Sequence, residues 1–577
     1  MKIRKIAIHN FRSIKDAEFS LNDYSMLVGR NNTGKSNVLA AIMIFYEESG
    51  FKYNEKRDFP KLSTTDNESW IEIHYTTSEE EQKCLKEEYQ SPDKVLKIHK
   101  YLKSEEFVKT NQSNLYAYEG GQLSNNLFYG ARNISQAKLG KPIYVPATSR
   151  TEDTFKLTGS SPFRDMLNFV MKRAVLDSPS FESLEKSFEN FNRDFKDESS
   201  KDGFSINALV NDINEEIKSW QVSFGVNINP IKPEDLIKNL LSHYLEDENL
   251  TEKKMDINYF GQGLQRHLIY TLIKLSSKYA PKVKAEKKEW SPDFTILLYE
   301  EPEAYLHPSQ QEILHLGLKT LAKEPDEQVL ISTHSPHFVS KQTEDISGII
   351  RLHKGKGIST SFQIDDISFN KIMDENLGLY RKFCDILKDP SADEGLKNKI
   401  KSQHLGDATP DETIKLEEES MQYFLWLNPD RSSLFFAEHV FICEGLADKV
   451  FFDLIFDEKC STFRDKHVYV LESGGKFNVH RYMALLNKLN IAHSVILDGD
   501  DNINYHKTVN DYLESNKNPL TKDIYFFPKN LEDFLCIPPA RRRDLKPINI
   551  VNHYKQGKIK QDRIEAIIEI LTKQLNT

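Results

Sequence analysis

The chain has 577 residues, 39% hydrophobic and 28% charged, with a formal net charge of −10. At about 150 residues per domain that is three or four units, too long for one core. No apolar run approaches the ~20 residues of a membrane span, and the acidic balance excludes a protein that coats nucleic acid over its whole surface. Charge is uneven, however: residues 537–577 hold nine Lys or Arg against four acids, a local patch able to meet a few phosphates. Five scattered cysteines without a CxxC pair argue against a disulfide framework or a thiolate zinc site. Met1–Ile8 alternates charged and apolar residues as a strand does, unlike a signal peptide, so a cytoplasmic protein without membrane association is expected.

Three strand-like runs open the chain, Ile3–Ile8, Ala17–Leu21 and Tyr24–Val28. The third leads into Gly29-x-x-x-x-Gly34-Lys35-Ser36, with Asn32 inside the loop, and a helix rich in Leu, Ala and Ile follows from Asn37 to Tyr46. That is a P-loop in its required setting. Its glycines let successive N–H groups turn inward at phosphate oxygens, the helix N-terminus adds a positive dipole end, and Lys35 and Ser36 are expected to hold the phosphates of ATP and its Mg2+. Ser69–Tyr75 alternates as a strand, Thr77–Lys100 is charged and reads as helix or loop, and Lys141–Arg150 reads as a short buried strand ending in a polar loop.

Between Ser160 and Trp220 the pattern changes. Phe181, Leu184, Phe188, Phe191 and Phe195 recur at spacings of three and four, and Leu209, Ile213, Ile217 and Trp220 repeat this after the polar stretch from Lys196 to Gly203. The spacing predicts two amphipathic helices joined by a turn. Because they interrupt an α/β run, a protruding arm for self-association is expected.

Asn258–Arg266 then places Gly261, Gly263 and Gln265 at the head of a helix, a second anion-binding arrangement. Thr295–Glu303 is an apolar strand delivering Glu300 and Glu301 at its end, and Gln328–Pro336 is another ending in His334. Ile364–Pro429 is polar, helical and acid-rich, and reads as a connector. From Ala437 the βα rhythm returns. Glu444 ends one apolar strand with Asp448 four residues on, Val468–Phe477 and a helix over Val479–Leu489 follow, and Ser494–Asp501 ends with Asp498 and Asp500. In an open α/β sheet such strand ends line one crevice. Carboxylates gathered there are costly unless a hard cation neutralises them, and Asp-x-Asp is a usual grip for Mg2+ or Mn2+.

Asn10-Phe11-Arg12, the P-loop, Gly261-Gln-Gly-Leu-Gln-Arg266, Glu300-Glu-Pro-Glu303 with His307-Pro308, and Ser332-Thr-His-Ser-Pro336 together resemble the ABC ATPase heads of RecF, SMC and OLD (overcoming lysogenisation defect) proteins. That resemblance covers about residues 1–355. It implies that Lys35, Ser36 and Glu300 hold phosphate and Mg2+, that Glu301 orients the attacking water, and that His334 senses the γ-phosphate. It also implies that Gly261, Gly263 and Gln265 complete the site of a second subunit, so that the active unit is a homodimer or larger. The signature is not the transporter Ser-Gly-Gly-Gln, and Glu300 stands where an aspartate is usual.

The second half resembles the Toprim fold of topoisomerases, primases and OLD nucleases. This resemblance implies metal binding by Glu444, Asp448, Asp498, Asp500 and Glu532, a catalytic Lys558 with Lys555 and Lys560 as rivals, and DNA as the substrate. The expected fold class is α/β: an N-terminal ABC-type ATPase (residues 1–159 and 221–363) with an inserted helical arm (160–220), a connector (364–436) and a C-terminal Rossmann-like Toprim domain (437–577). The expected function is an ATP-regulated, metal-dependent DNA endonuclease. Gabija-type nucleases and retron OLD effectors share this layout, which implies antiphage defence and a partner protein or retron RNA–DNA. The alternative is a RecF-like repair ATPase with a non-cleaving Toprim module.

Overall fold

The computed structural model describes residues 1–48, 50–147, 179–195, 198–226, 244–249, 254–279, 290–292, 294–339, 343–406, 429–500 and 504–576. The chain forms two compact units, one of Met1–Ala147 with Lys287–Thr577 and one of Thr148–Glu286.

In chain order the strands are β1 (Lys2–Phe11), β2 (Ile14–Ser20), β3 (Tyr24–Val28), β4 (Ser69–Thr76), β5 (Val95–Lys103), β6 (Leu115–Glu119), β7 (Gln122–Leu127) and β8 (Lys141–Val145). The short pair β9 (Leu245–Glu246) and β10 (Lys254–Met255) belongs to the second unit. Then come β11 (Thr295–Glu300), β12 (Glu327–Ser332), β13 (Ile349–Gly355), β14 (Ile358–Gln363), β15 (His439–Cys443), β16 (Val468–Glu472), β17 (Ala492–Asp498) and β18 (Thr521–Phe527).

The larger sheet runs β7-β6-β5-β4-β1-β2-β14-β13-β3-β12-β11-β8. Its antiparallel half is built on alternation: Ile6 and Ile8 of β1 face Ile73 and Ile71 of β4, and Ile73 faces Ile98 of β5, all buried. Such cross-strand apolar pairs on one face are the unit of sheet stabilisation. Helix Lys35–Phe45 is apolar nearly all round and is buried on nearly all sides, in the same core cluster as these isoleucines. The other half, β13-β3-β12-β11-β8, is parallel, so its carboxyl ends share one edge. There the P-loop follows β3, Glu300 ends β11, and His334 follows β12.

The expected strands at the N-terminus, at Ser69–Tyr75 and at Lys141 all form. The segment Thr77–Lys100 differs from expectation. It does hold a helix, Glu79–Cys84, opened by a Ser78/Glu81 capping box, but its end is β5, which lies between two other strands. Lys97, His99 and Lys100 masked the strand. Lys100 is buried, with Nζ 3.0 Å from Phe45 O and 2.6 Å from Glu47 Oε1, so a charged residue occupies a strand position that sequence alone reads as surface.

The smaller sheet, β16-β15-β17-β18, is wholly parallel. Helices Leu446–Lys459, Lys546–Lys555 and Gln561–Asn576 contribute Phe451, Phe452, Phe456, Ile550, Ile567 and Leu571 to its core. Helix Asp366–Lys388, from the expected connector, packs against helix Val479–Lys488. His480 Nε2 lies 3.0 Å from Asn376 O, Tyr512 OH donates to Glu375 O at 3.3 Å, and the rings of Phe383 and Phe477 meet. That helix is therefore an outer layer of this sheet rather than a free tether, while residues 407–428 of the connector lie outside the described residues.

In the second unit, helices Pro179–Phe195 and Ile206–Ile217 form as the spacing predicts, and Phe188, Phe191 and Phe195 stack along one face. No residue of Ile206–Ile217 is buried, and Leu209 is 59% exposed and Trp220 79%. The remaining part of the expected arm, 160–178, lies outside the described residues. Among the described residues no helix is long and apolar enough to cross a membrane.

Candidate nucleotide and metal sites

The P-loop is shaped by its glycines. Gly29 has φ 139°, and a Cβ there would stand 2.4 Å from Leu352 O. Gly34 has φ 105°, and a Cβ there would stand 2.7 Å from Ser359 Oγ. Both positions therefore require glycine. Lys35 is buried and donates from Nζ to Gly29 O and Arg30 O, each at 2.8 Å, so its ammonium is held inside the loop it would serve. Burial pulls that ammonium down to about 8, against the carboxylates of Glu301, Glu303 and Glu300. Asn32 has φ 65° and accepts from Lys354 Nζ at 3.3 Å.

Ser36 Oγ donates directly to Glu300 Oε1, and Tyr144 OH donates to Glu300 Oε2 at 2.7 Å. A serine hydroxyl and a carboxylate sharing one point is a donor pair that fits Mg2+. Glu301 sits at φ 45° and its Oε1 is 3.7 Å from His334 Nε2. Burial and the Lys35 charge pull the His334 imidazole down to about 4, so it is neutral at physiological pH. Glu303 is a participant the sequence reading quoted but did not assign. Its Oε1 accepts from the His334 N–H at 2.6 Å, it is half-buried, and desolvation pushes its carboxyl up. Tyr144 is another, without a motif of its own. The sites predicted at Gly29, Asn32, Gly34, Lys35, Ser36, Glu300, Glu301 and His334 thus come together at one sheet edge.

Gly261, Gly263 and Gln265 lie in the second unit. Gln265 is buried, with Nε2 donating to Phe260 O at 2.7 Å and Ile257 O at 3.3 Å, which closes the turn before helix Gln262–Tyr279. Gly261 is exposed.

At the smaller sheet, Glu444 follows β15 and Asp498 ends the adjacent β17, with Cys443 level with Ile496. Gly499 turns the chain where a Cβ would stand 2.4 Å from Phe527 O, and this close approach places Asp500 at φ 50°. Asp448 Oδ2 accepts from the Gly445 N–H at 3.0 Å, and Asp498 Oδ1 from the Leu531 N–H at 3.0 Å. Glu532, buried, is on the short helix Leu531–Phe534 that this second bond anchors. Burial, then the charges of Asp448, Glu444 and Asp500, push Asp498 up to about 8. Burial and the neighbouring carboxylates likewise push Asp448 up to about 7 and raise Glu444. Glu444 Oε2 is buried without a hydrogen-bond partner among the described residues.

Carboxylates that repel one another this strongly call for positive charge, and oxygen-only donors suit a hard divalent ion. Among the described residues no three His, Cys, Asp or Glu side chains stand close enough together to hold one metal ion. Two lysines that sequence reasoning missed supply charge instead. Lys476 is fully buried and donates from Nζ to Asp498 O at 2.6 Å and to Asp500 Oδ2 at 3.2 Å. Lys546 Nζ is 3.2 Å from Glu532 Oε1. Burial opposes its charge, but Glu532, Asp498 and Asp448 together hold its ammonium above the usual range.

Lys558 is placed elsewhere. It is exposed in the turn between helices Lys546–Lys555 and Gln561–Asn576, and its ammonium pairs with none of these acids among the described residues. Lys555 and Lys560 line a separate cavity of about 580 Å3 with Glu458 and Tyr554. Residue spacing could not separate Lys546 from its neighbours, because only the packing of helix Lys546–Lys555 against helix Leu446–Lys459 brings it to the acids.

These two edges define an ATPase head joined to a Toprim module, and comparison with known proteins agrees. The family model for the AAA ATPase domain matches residues 1–339, and that for the overcoming lysogenization defect protein-like TOPRIM domain matches 435–500. The chain belongs to the AAA ATPase domain family, and it pairs that domain with a segment that matches the OLD-like TOPRIM domain. It is 25% identical over 352 residues to the Old nuclease of Escherichia phage P2, covering 59% of this chain and 57% of that protein. It is 23% identical over 520 residues to the endonuclease GajA of Bacillus cereus, covering 87% and 75%. With the OLD nuclease of Thermus scotoductus it shares 19% over 518 residues, covering 86% and 82%.

Proposed function

We propose that this chain is a metal-dependent DNA endonuclease whose cleavage module is regulated by its ATP-binding head. The observation that carries this reading is the convergence of Glu444, Asp448, Asp498, Asp500 and Glu532, with Lys476 and Lys546, at the carboxyl edge of one parallel sheet. The names of the relatives support nuclease chemistry.

Glu444 and Asp448 would hold one Mg2+ or Mn2+, and Asp498, Asp500 and Glu532 a second. When bound, such ions activate water and stabilise the leaving oxygen of a phosphodiester. Lys546 is the lysine placed to offset charge developing on the scissile phosphate. Lys476 fixes the Asp498–Asp500 turn from beneath. In the head, Lys35, Asn32 and the loop N–H groups would bind the phosphates of ATP, Ser36 and Glu300 its Mg2+, and Glu301 would orient water, with neutral His334 beside it. Gly261, Gly263 and Gln265 would serve a second copy, and the exposed phenylalanine face of helix Pro179–Phe195 would join copies into a homodimer or larger assembly. Antiphage defence with a partner protein or a retron RNA–DNA is the biology that fits this layout.

Incubating the purified protein with plasmid and Mg2+ or Mn2+, with and without ATP, tests the reading. Wild type should nick or cut while Asp500→Ala does neither and still binds nucleotide. Equal cutting by both would remove the nuclease assignment, and no cutting by wild type would favour a non-cleaving repair ATPase.

A further inference from the structure

We infer that a charge knot centred on buried Arg351 and half-buried Glu438 couples the P-loop to the two strands that carry the Toprim acids. It rests on the ATP-gated reading above and names the device that does the gating.

Arg351 lies in β13 level with Val28, the residue before Gly29, and is one of the largest fully buried side chains. Its Nη1 donates to Leu489 O and Asn490 O, both at 3.1 Å, and its Nη2 to Ala437 O at 2.9 Å. Ala437 leads into β15 and Asn490 into β17. One guanidinium therefore grips the amino ends of the adjacent strands whose carboxyl ends carry Glu444 and Asp498. A planar fork satisfying three carbonyls is a geometry that lysine does not reproduce.

Glu438, the residue before β15, stands 3.9 Å from Arg351 Nη2 and 3.1 Å from His353 Nδ1. It also lies 3.6 Å from Nη1 of Arg30, a residue of the P-loop itself. Arg30 O is one of the two carbonyls that hold the Lys35 ammonium. A nucleotide phosphate that draws Lys35 outward takes a partner away from Gly29 and Arg30, so this segment must change its contacts when the site fills. The Arg30 side chain transmits that change to Glu438, and Glu438 with Arg351 to the roots of β15 and β17. Coupling of this kind needs a contiguous packed network biased from both ends, and it must act reciprocally.

The test uses the full-length protein with a non-hydrolysable ATP analogue and hydrogen exchange resolved by peptide, together with plasmid cleavage. In wild type the analogue should change exchange in His439–Cys443 and Ala492–Asp498 as well as around the P-loop. Glu438→Gln, which removes the charge and keeps the shape, should bind the analogue normally but confine its effect to the head. Any nucleotide effect on cleavage, for example about tenfold, should fall below about twofold. Arg351→Lys should behave likewise, and because it keeps the buried charge it serves as the second variant if one misfolds. Analogue binding to wild type without any change in β15 and β17, or Glu438→Gln keeping the full response, would overturn the inference. Exchange does not depend on cleavage, so a protein that cuts nothing would refute the nuclease reading and leave this one to be judged separately.

Discussion

Replacing Asp498 with asparagine should stabilise the metal-free protein at alkaline pH while ending metal binding by the Asp498, Asp500 and Glu532 set. Asp498 is held at about 8 and Asp448 at about 7, against 3.8 for an ordinary aspartate. Both are raised, so between about pH 4 and pH 8 the folded state keeps protons that the unfolded chain has released. Stability is therefore full below about pH 4 and falls as pH rises through the folded values. Asp498 alone is displaced by about four units, and at ~1.4 kcal/mol for each unit its share of the loss is about 6 kcal/mol. The amide introduced by Asp498→Asn carries no charge to desolvate and should recover a few kcal/mol of it. The assay is urea unfolding of the metal-free full-length protein at pH 5 and pH 8.5, followed through the Toprim module, with and without Mg2+. Wild type should be weaker at pH 8.5 and regain about 2.7 kcal/mol at a hundredfold excess of Mg2+ over its dissociation constant. Asp498→Asn should show a smaller dependence on both, keeping the part that the burial of Asp448 supplies. Equal wild-type stability at both pH values without metal, or an Asp498→Asn protein that gains as much from Mg2+ as wild type, would refute the argument that burying these acids together creates the demand for a cation.

Lys35→Ala should abolish nucleotide binding measured by fluorescence titration, whereas Glu301→Gln should bind normally and hydrolyse at least about a hundredfold more slowly, since only the second touches the water. Lys546→Met should lower plasmid cleavage by about a hundredfold or more with metal binding retained, while Lys558→Ala should change it less than about threefold, read by cleavage rate and Mn2+ titration. Phe188→Asp with Phe191→Asp should place charges in an apolar seam and lower the mass seen in sedimentation while the protein stays folded by circular dichroism.

The sequence by itself determined the elements whose chemistry is local. A P-loop is a strand, a glycine turn and a helix start within a dozen residues, so Gly29–Ser36 was legible without tertiary information. Glu300, Glu301, His334, Glu444, Asp498 and Asp500 were legible for a related reason: each sits at or just past the end of an apolar strand, and parallel strands must present their carboxyl ends together. The paired amphipathic helices of 179–217 were written in their 3.6-residue period. What the tertiary structure decided is which distant residues meet those ends. Lys546 and Lys558 stand in equally basic surroundings, and only the packing of helix Lys546–Lys555 brings Lys546 to Glu532. Lys476 looks like a surface lysine beside two glycines, yet the turn after β16 drives it under the Asp498–Asp500 loop, fully buried. Strand β5 was hidden because Lys100 finds Glu47 and the Phe45 carbonyl inside the fold. Arg351, a charge within an apolar run, is buried because the segments leading into β15 and β17 supply three carbonyls for it. In each case a charged side chain is paired by a partner far away in sequence. Burial of charge depends on that partner and not on any local pattern, which is why sequence periodicity could not foresee it.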